Sequence, residues 1–242
     1  MTQDELPLSL VVFAYNEESN VPTALPEILE WLRARRGGYQ LIFVDDGSTD
    51  STRARAEQAL QGDSRCVVLS HGRNAGIGAA LKTGVRAASF DWVTFLPCDG
   101  QIPVREIGKL TAVVTQEHSA ARVVFSVYRL RDDGARRKLL SAGVRGLIRA
   151  VHGVALRSDG PYLFRRELFH PDVLESDTFF LNFEFPIRML RAGVEHATVT
   201  IECVPRLSGR SKSTGLGRIV GVARDLLALK LRLLREPKHV SV

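Results

Sequence analysis

Two carboxylates stand side by side in Val44-Asp45-Asp46-Gly47-Ser48, and a third follows the apolar run in Phe95-Leu96-Pro97-Cys98-Asp99-Gly100-Gln101. A carboxylate at the end of a buried strand faces the crevice in which open α/β sheets bind ligands. Asp99 is suited there to hold a divalent cation against a diphosphate, because hard cations take oxygen ligands. Gln101 offers a further oxygen two residues on, whereas Pro97, two residues before, offers none. The pair at 45 and 46 would repel phosphate, so it suits a partner that presents N–H groups. A pyrimidine or guanine ring does so, and an ionised Asp only accepts hydrogen bonds. Two consecutive acids exceed what capping the next helix needs. Asp46 is therefore expected to read the base and Asp45 to support it, with Asp50 as the cap.

These groups need strands that end beside one another, and the chain supplies them. Apolar runs at 8–13, 40–44, 66–69 and 92–96 predict buried strands. Helical patterns over 21–35, 50–60 and 77–88 alternate with them, the first with Pro22 and Pro26 in its opening turn and Gly37-Gly38 at its end. Such alternation implies a parallel sheet with helices on both faces, a Rossmann-like α/β architecture. Beyond Gln101 the pattern loosens: helix over 104–116, strand over 122–127, a basic amphipathic helix over 136–151, loop and strand over 158–164, helix over 183–191, strand over 198–204 and an apolar helix over 217–235.

Composition bounds the partners. The chain has 242 residues, 45% hydrophobic and 25% charged, enough to bury a core. A net charge of +6 and a pI near 9.5 suit an anionic partner. No aromatic-basic platform points to nucleic acid. The three cysteines, Cys66, Cys98 and Cys203, lack metal-ligand spacing and suit a reducing, cytoplasmic setting. No signal peptide opens the chain, and no run reaches the roughly 18 apolar residues of a membrane span. The glycine-rich run from His71 to Thr83 is no phosphate loop, because Leu81 stands where glycine must precede Lys82-Thr83. Ala79, Ala80 and Gly84 read instead as small residues that let a helix approach the sheet.

Ala14-Tyr15-Asn16-Glu17, the block from Val44 to Asp50, Asn74-Ala75-Gly76-Ile77-Gly78-Ala79-Ala80 and Asp99 together resemble the family 2 glycosyltransferases of GT-A fold, particularly the dolichyl- and polyprenyl-phosphate sugar synthases. The likeness continues through Arg129 to Gly134, Asp159, Leu163 to Arg166, Asn182-Phe183-Glu184 with Arg188, and Val204-Pro205-Arg206 to Lys212. It implies a GT-A catalytic domain over 1–214 and a helical tail over 215–242. By the resemblance, Ala14, Tyr15, Glu17, Asp45, Asp46 and Asn74 would bind a UDP- or GDP-linked sugar. Asp99 and Gln101 would hold Mg2+ or Mn2+ on its diphosphate, for Lewis-acid catalysis. Pro97 departs from the family's Asp-x-Asp pattern, and Phe13 replaces a usual proline.

The acceptor side is basic. Arg206, Arg210, Lys212 and Arg218 follow one another with no acid among them. Arg129, Arg206, Arg210 and Lys212 are expected to bind a polyprenyl phosphate, with Arg210 and Lys212 also serving transfer. Such an acceptor is already ionised and needs no base, so displacement would invert the anomeric carbon. A hydroxyl acceptor would need one, and Asp159 is the candidate. A non-catalytic nucleotide-sugar scaffold is the reading Pro97 favours. The basic helix over 136–151 suits either a membrane interface or packing on the sheet. The C-terminal helix suits a bilayer, a membrane-protein partner or a second copy of the chain. The expected location is cytoplasmic, peripheral on the cytosolic face of a membrane.

Overall fold

The computed structural model describes residues 6–129, 134–205 and 216–235. Strands β1 (Leu8–Ala14), β2 (Tyr39–Asp45), β3 (Cys66–Ser70), β4 (Trp92–Pro97), β5 (Val123–Tyr128), β6 (Leu163–Arg165) and β7 (His196–Ile201) form one sheet, in the order β3-β2-β1-β4-β6-β5-β7. Only β6 runs against its neighbours, β4 and β5; all other pairings are parallel. From β1 the chain steps outward to β2 and β3, then returns to place β4 on the other side of β1. The strand order therefore reverses between β1 and β4, and a ligand crevice opens at the C-terminal ends of those strands.

Helices α1 (Val21–Ala34), α2 (Thr52–Leu60) and α4 (Ile107–Val114) cover one face, and α3 (Ile77–Ala87) and α6 (Leu181–Arg191) the other. Every residue of β1 is buried, because successive side chains serve opposite cores. Leu10 and Val12 pack with Leu25, Ile28 and Ile107, while Val11 and Phe13 pack with Leu81, Val85 and Phe185. This is why the strand reads as an unbroken apolar run rather than an alternating one.

A third cluster lies outside the sheet. Helices α5 (Gly134–His152) and α7 (Leu216–Arg235) pack on α6 through Ile148, Ile187, Leu226 and Leu229. The described apolar residues of α5 thus meet two helices, where packing on the sheet or lying in a membrane interface was expected.

Four boundaries differ from expectation. Pro26 lies in the interior of α1 rather than its first turn, which starts at Val21 with Pro22. The 104–116 segment is a 3₁₀ turn, Val104–Glu106, leading into α4. The strand expected over 158–164 contracts to β6, because Asp159 donates its amide to Ser126 O at 2.9 Å and makes a corner there. β7 starts two residues early, in register with Val123, and stops at Ile201. Beyond it, the Glu202 amide turns to Glu106 Oε2 at 2.9 Å and the Val204 amide to Gln101 O at 2.8 Å. Those amides hold the 202–205 segment against the turn that follows β4.

Candidate active site

Six parallel strands deliver their last residues to one edge, where Ala14 pairs with Asp45, Asp45 with Ser70, and Phe13 with Pro97. The loops after β1, β2 and β3 enclose a cavity of ≈ 570 Å³, a size suited to a small ligand. Tyr15, Asp45, Ser48, Arg53, His71 and Asn74 are in its wall.

The two adjacent acids have different surroundings. Asp45 lines the cavity and accepts the Ser48 amide at 3.2 Å and the Ser70 hydroxyl at 2.9 Å. Asp46 is not in the wall. Its Oδ1 accepts the Ala75 amide at 2.9 Å and lies 2.8 Å from His71 Nδ1, and its Oδ2 accepts the Gly76 amide at 2.9 Å. An ionised carboxylate only accepts, so His71 donates from Nδ1; its Nε2 lies 2.9 Å from Thr83 Oγ1. Asp46 thus ties the 71–76 loop to the end of β2. Gly47 permits the approach: its φ is +71°, and a Cβ there would meet the Arg73 carbonyl carbon at 2.2 Å.

The loop after β1 docks on the loop after β2. Asn16, at φ +53°, donates its amide to Ser48 Oγ at 2.9 Å and accepts the Thr49 amide at 2.8 Å. Glu17 donates its amide to Thr52 Oγ1 at 2.8 Å, and its carboxylate accepts the Asn20 side chain. Asp50 accepts the Thr52 amide at 2.9 Å at the start of α2 and the Glu18 amide at 3.3 Å. Burial works against its charge, but the Thr52 hydroxyl and these amides outweigh it and lower the Asp50 pKa.

On the other side of β1, Cys98 donates its amide to Phe13 O at 3.0 Å, which carries Asp99 over the β1–β4 crevice. Asp99 is 4% exposed and its Oδ1 accepts the Gln101 amide at 3.0 Å. Burial, with the charges of Glu17 and Asp99, pushes the Cys98 thiol up to about 12, so it stays protonated beside them. Among the described residues, no three His, Cys, Asp or Glu side chains are grouped to hold a metal by themselves.

The remaining expected residues lie apart from the cavity. Arg129, one residue past β5, is exposed and 3.8 Å from Glu202 Oε1. Asp159 is exposed and 3.6 Å from Arg145 of α5. The end of β5 stands two strand spacings from β4, roughly 10 Å. Arg206, Arg210 and Lys212 lie outside the described residues. The glycine-rich helix start is closed to phosphate. Lys82 is spent on Asp177 at 2.9 Å, and Asp177 O takes the Ala79 amide at 3.1 Å. A Cβ at Gly84 would meet Val11 at 2.3 Å, the close helix-on-sheet contact expected of a small residue there.

Arg53 and His71 escaped the sequence reading as cavity residues. His71 carried a usable signal, since it follows directly on a strand end. Arg53 carried none, because its place depends on where α2 is docked.

Residues 9–173 match the profile described as Glycosyl transferase family 2. The chain belongs to glycosyl transferase family 2. Among the relatives of this family 2 chain, the undecaprenyl-phosphate 4-deoxy-4-formamido-L-arabinose transferase of Proteus mirabilis is 30% identical over 227 residues, which cover 91% of this chain and 66% of that protein. The protein of the same name from Yersinia pestis is 28% identical over 225 residues, again 91% and 66%. The family 2 chain thus spans just under two thirds of the length of these relatives. Its fold is that of glucosyl-3-phosphoglycerate synthase from Mycobacterium tuberculosis, solved with Mn2+, UDP and phosphoglyceric acid. That structure has a TM-score of 0.68 at 23% identity, covering 97% of this chain and 80% of that one. A second structure of the synthase, with Mg2+ and UDP, has a TM-score of 0.67 at 22% identity, covering 97% and 81%.

Proposed function

We propose that this chain transfers a sugar from a nucleoside-diphosphate donor to a polyprenyl phosphate. The observation that carries the reading is the placing of Asp45 and Asp99 on either side of β1. Asp45 is in the wall of the cavity beside β1, and Asp99 follows β4 on the other side of β1, an arrangement that suits a base held at the first and a diphosphate at the second. The names of the relatives support the acceptor class, and the UDP in the synthase structures supports the donor class. The base is read by Asp45, beside Tyr15 and Asn74, while Asp46 holds the loop that forms the wall.

Asp99 and Gln101 carry side-chain oxygens of the kind Mg2+ or Mn2+ takes, and they would hold such an ion against the donor. The ion would offset the charge of the departing nucleoside diphosphate. A phosphate oxygen of the acceptor attacks the anomeric carbon as the bond to the diphosphate oxygen breaks, and the configuration inverts. No proton moves in that step, so no base is required. The acceptor would approach over β5 and β7, where Arg129 lies one residue past β5.

Incubating the full chain with UDP- and GDP-sugars, Mn2+ and a short polyprenyl phosphate tests this reading. The expected product is a sugar-linked polyprenyl phosphate, formed equally well by Asp159→Asn. Transfer to hydroxyl acceptors alone, lost in Asp159→Asn, would reject it.

The acceptor's lipid implies a membrane surface, and α7 presents a face suited to one. Leu227, Leu231 and Leu234 are 55%, 57% and 66% exposed, on the side opposite Leu226 and Leu229. Arg224, Lys230 and Arg235 edge this stripe. Among the described residues, no helix is long and apolar enough to cross a membrane. Burying the leucine stripe contributes about 1 kcal/mol or more per residue, and each cation near anionic lipid about 1 kcal/mol. The sum supports reversible docking on an anionic bilayer. The chain should float with phosphatidylglycerol vesicles at physiological salt, and L227E/L231E should stay behind. Equal flotation of the two proteins would sink the assignment of this face.

A further inference from the structure

Glu184, in the first turn of α6, is fully buried in an ion pair with Arg188, whose Nε lies 3.4 Å from its Oε1. Burying a carboxylate is costly unless its oxygens are well occupied. Here they accept the Glu175 amide at 3.2 Å and the Ser176 amide at 3.0 Å. The buried charge thus holds the backbone of an otherwise exposed segment. That segment is the one pressed on the start of α3. Asp177 binds Lys82 and the Ala79 amide, and a Cβ at Gly76 would meet Asp177 O at 2.4 Å. Gly76 in turn donates to Asp46, and the loop that it ends carries His71 and Asn74 in the cavity wall.

We propose that Glu184 is a positioning residue for the nucleotide donor, acting through the 175–178 segment and Asp177 on the 71–76 loop. It touches neither donor nor acceptor. The contacts run without a gap from α6 to the cavity: Glu184 to the Ser176 amide, Asp177 to α3, and Gly76 to Asp46. Each link is a hydrogen bond or a backbone contact too close to admit a methyl group. Loosening the first link therefore frees the last, and the loop samples positions in which its wall residues no longer meet the donor. The functional part of this inference rests on the donor reading above.

Two variants and two readouts test it. Glu184→Gln replaces one acceptor oxygen by an NH2 group that opposes an amide N–H. Asp177→Ala removes the Lys82 ion pair at a side chain that is 60% exposed and leaves the Asp177 carbonyl on the Ala79 amide, so it weakens the link without cutting it. Hydrogen exchange at the Ala75 and Gly76 amides should quicken by about tenfold in Glu184→Gln and by about threefold in Asp177→Ala, with β1 and β2 unchanged in both. The donor KM should rise by a similar factor, while kcat stays within about twofold. If Glu184→Gln does not fold, Asp177→Ala decides. Unchanged exchange at Ala75 and Gly76 overturns the mechanical link. A fall in kcat at constant donor KM overturns the positioning role. Faster exchange in a chain whose wild type binds neither UDP nor GDP overturns the donor reading instead.

Discussion

Asp99→Asn is expected to lower the turnover of sugar transfer by about 10²–10³-fold, the scale of losing one preorganised charge-stabilising group. Asp99 is buried at the crevice between β1 and β4, and its Oδ1 accepts the Gln101 amide at 3.0 Å. Asparagine keeps an oxygen for that bond, so the turn should survive. What is lost is the negative charge. In a site with two carboxylates the partner would retain part of the cation's attraction, but Pro97 stands at the other position. The loss here should therefore be nearly complete for the step in which the diphosphate departs. The Asp45 side of the cavity is untouched, so affinity for the nucleoside should stay within about twofold. Steady-state transfer, with calorimetry using UDP and GDP in the presence and absence of Mn2+, measures both. Equal losses in turnover and nucleoside binding, or no loss in either, would contradict the role given to Asp99.

Asp46→Ala should act by another route and chiefly on stability. Its carboxylate receives His71, Ala75 and Gly76. Removing the acceptor leaves these N–H groups to find water, at about 1–3 kcal/mol for each one that stays buried. A net cost of about 3 kcal/mol is expected, which for a domain of this size lowers Tm by roughly 6–12 °C. Nucleotide affinity should fall with it, because the freed 71–76 loop forms the cavity wall. Thermal unfolding and nucleotide titration on one preparation separate the alternatives. Weaker binding with an unchanged Tm would mean that Asp46 meets the base directly, as its place beside Asp45 suggests when the sequence is read alone.

The fold was largely legible because its signal is local. The apolar runs at 8–13 and 92–96 mark strands buried on both faces, and helical spacing between them implies crossovers. Later boundaries were harder for a physical reason. β7 ends where Glu106 and Gln101, about a hundred residues upstream, take its next amides. α5 has an amphipathic pattern that states an apolar partner without saying which, and the partners are α6 and α7.

The site was legible in the positions of its residues and not in their hydrogen-bond partners. Sequence alone determined that Asp45, Asp46 and Asp99 stand at strand ends, that the His71–Thr83 run lacks a phosphate loop's glycine, and that Pro97 leaves Asp99 without a second carboxylate. These follow from period, spacing and residue type, which neighbours in the chain express directly. Only the tertiary structure decided which lone pairs were already taken. Asp45 faces a cavity while Asp46 is occupied by amides from 29 and 30 residues away, and Lys82 is committed to Asp177, 95 residues away. Hydrogen-bond acceptors saturate through whichever donors the fold brings near, and that choice is made by packing between elements far apart in the chain.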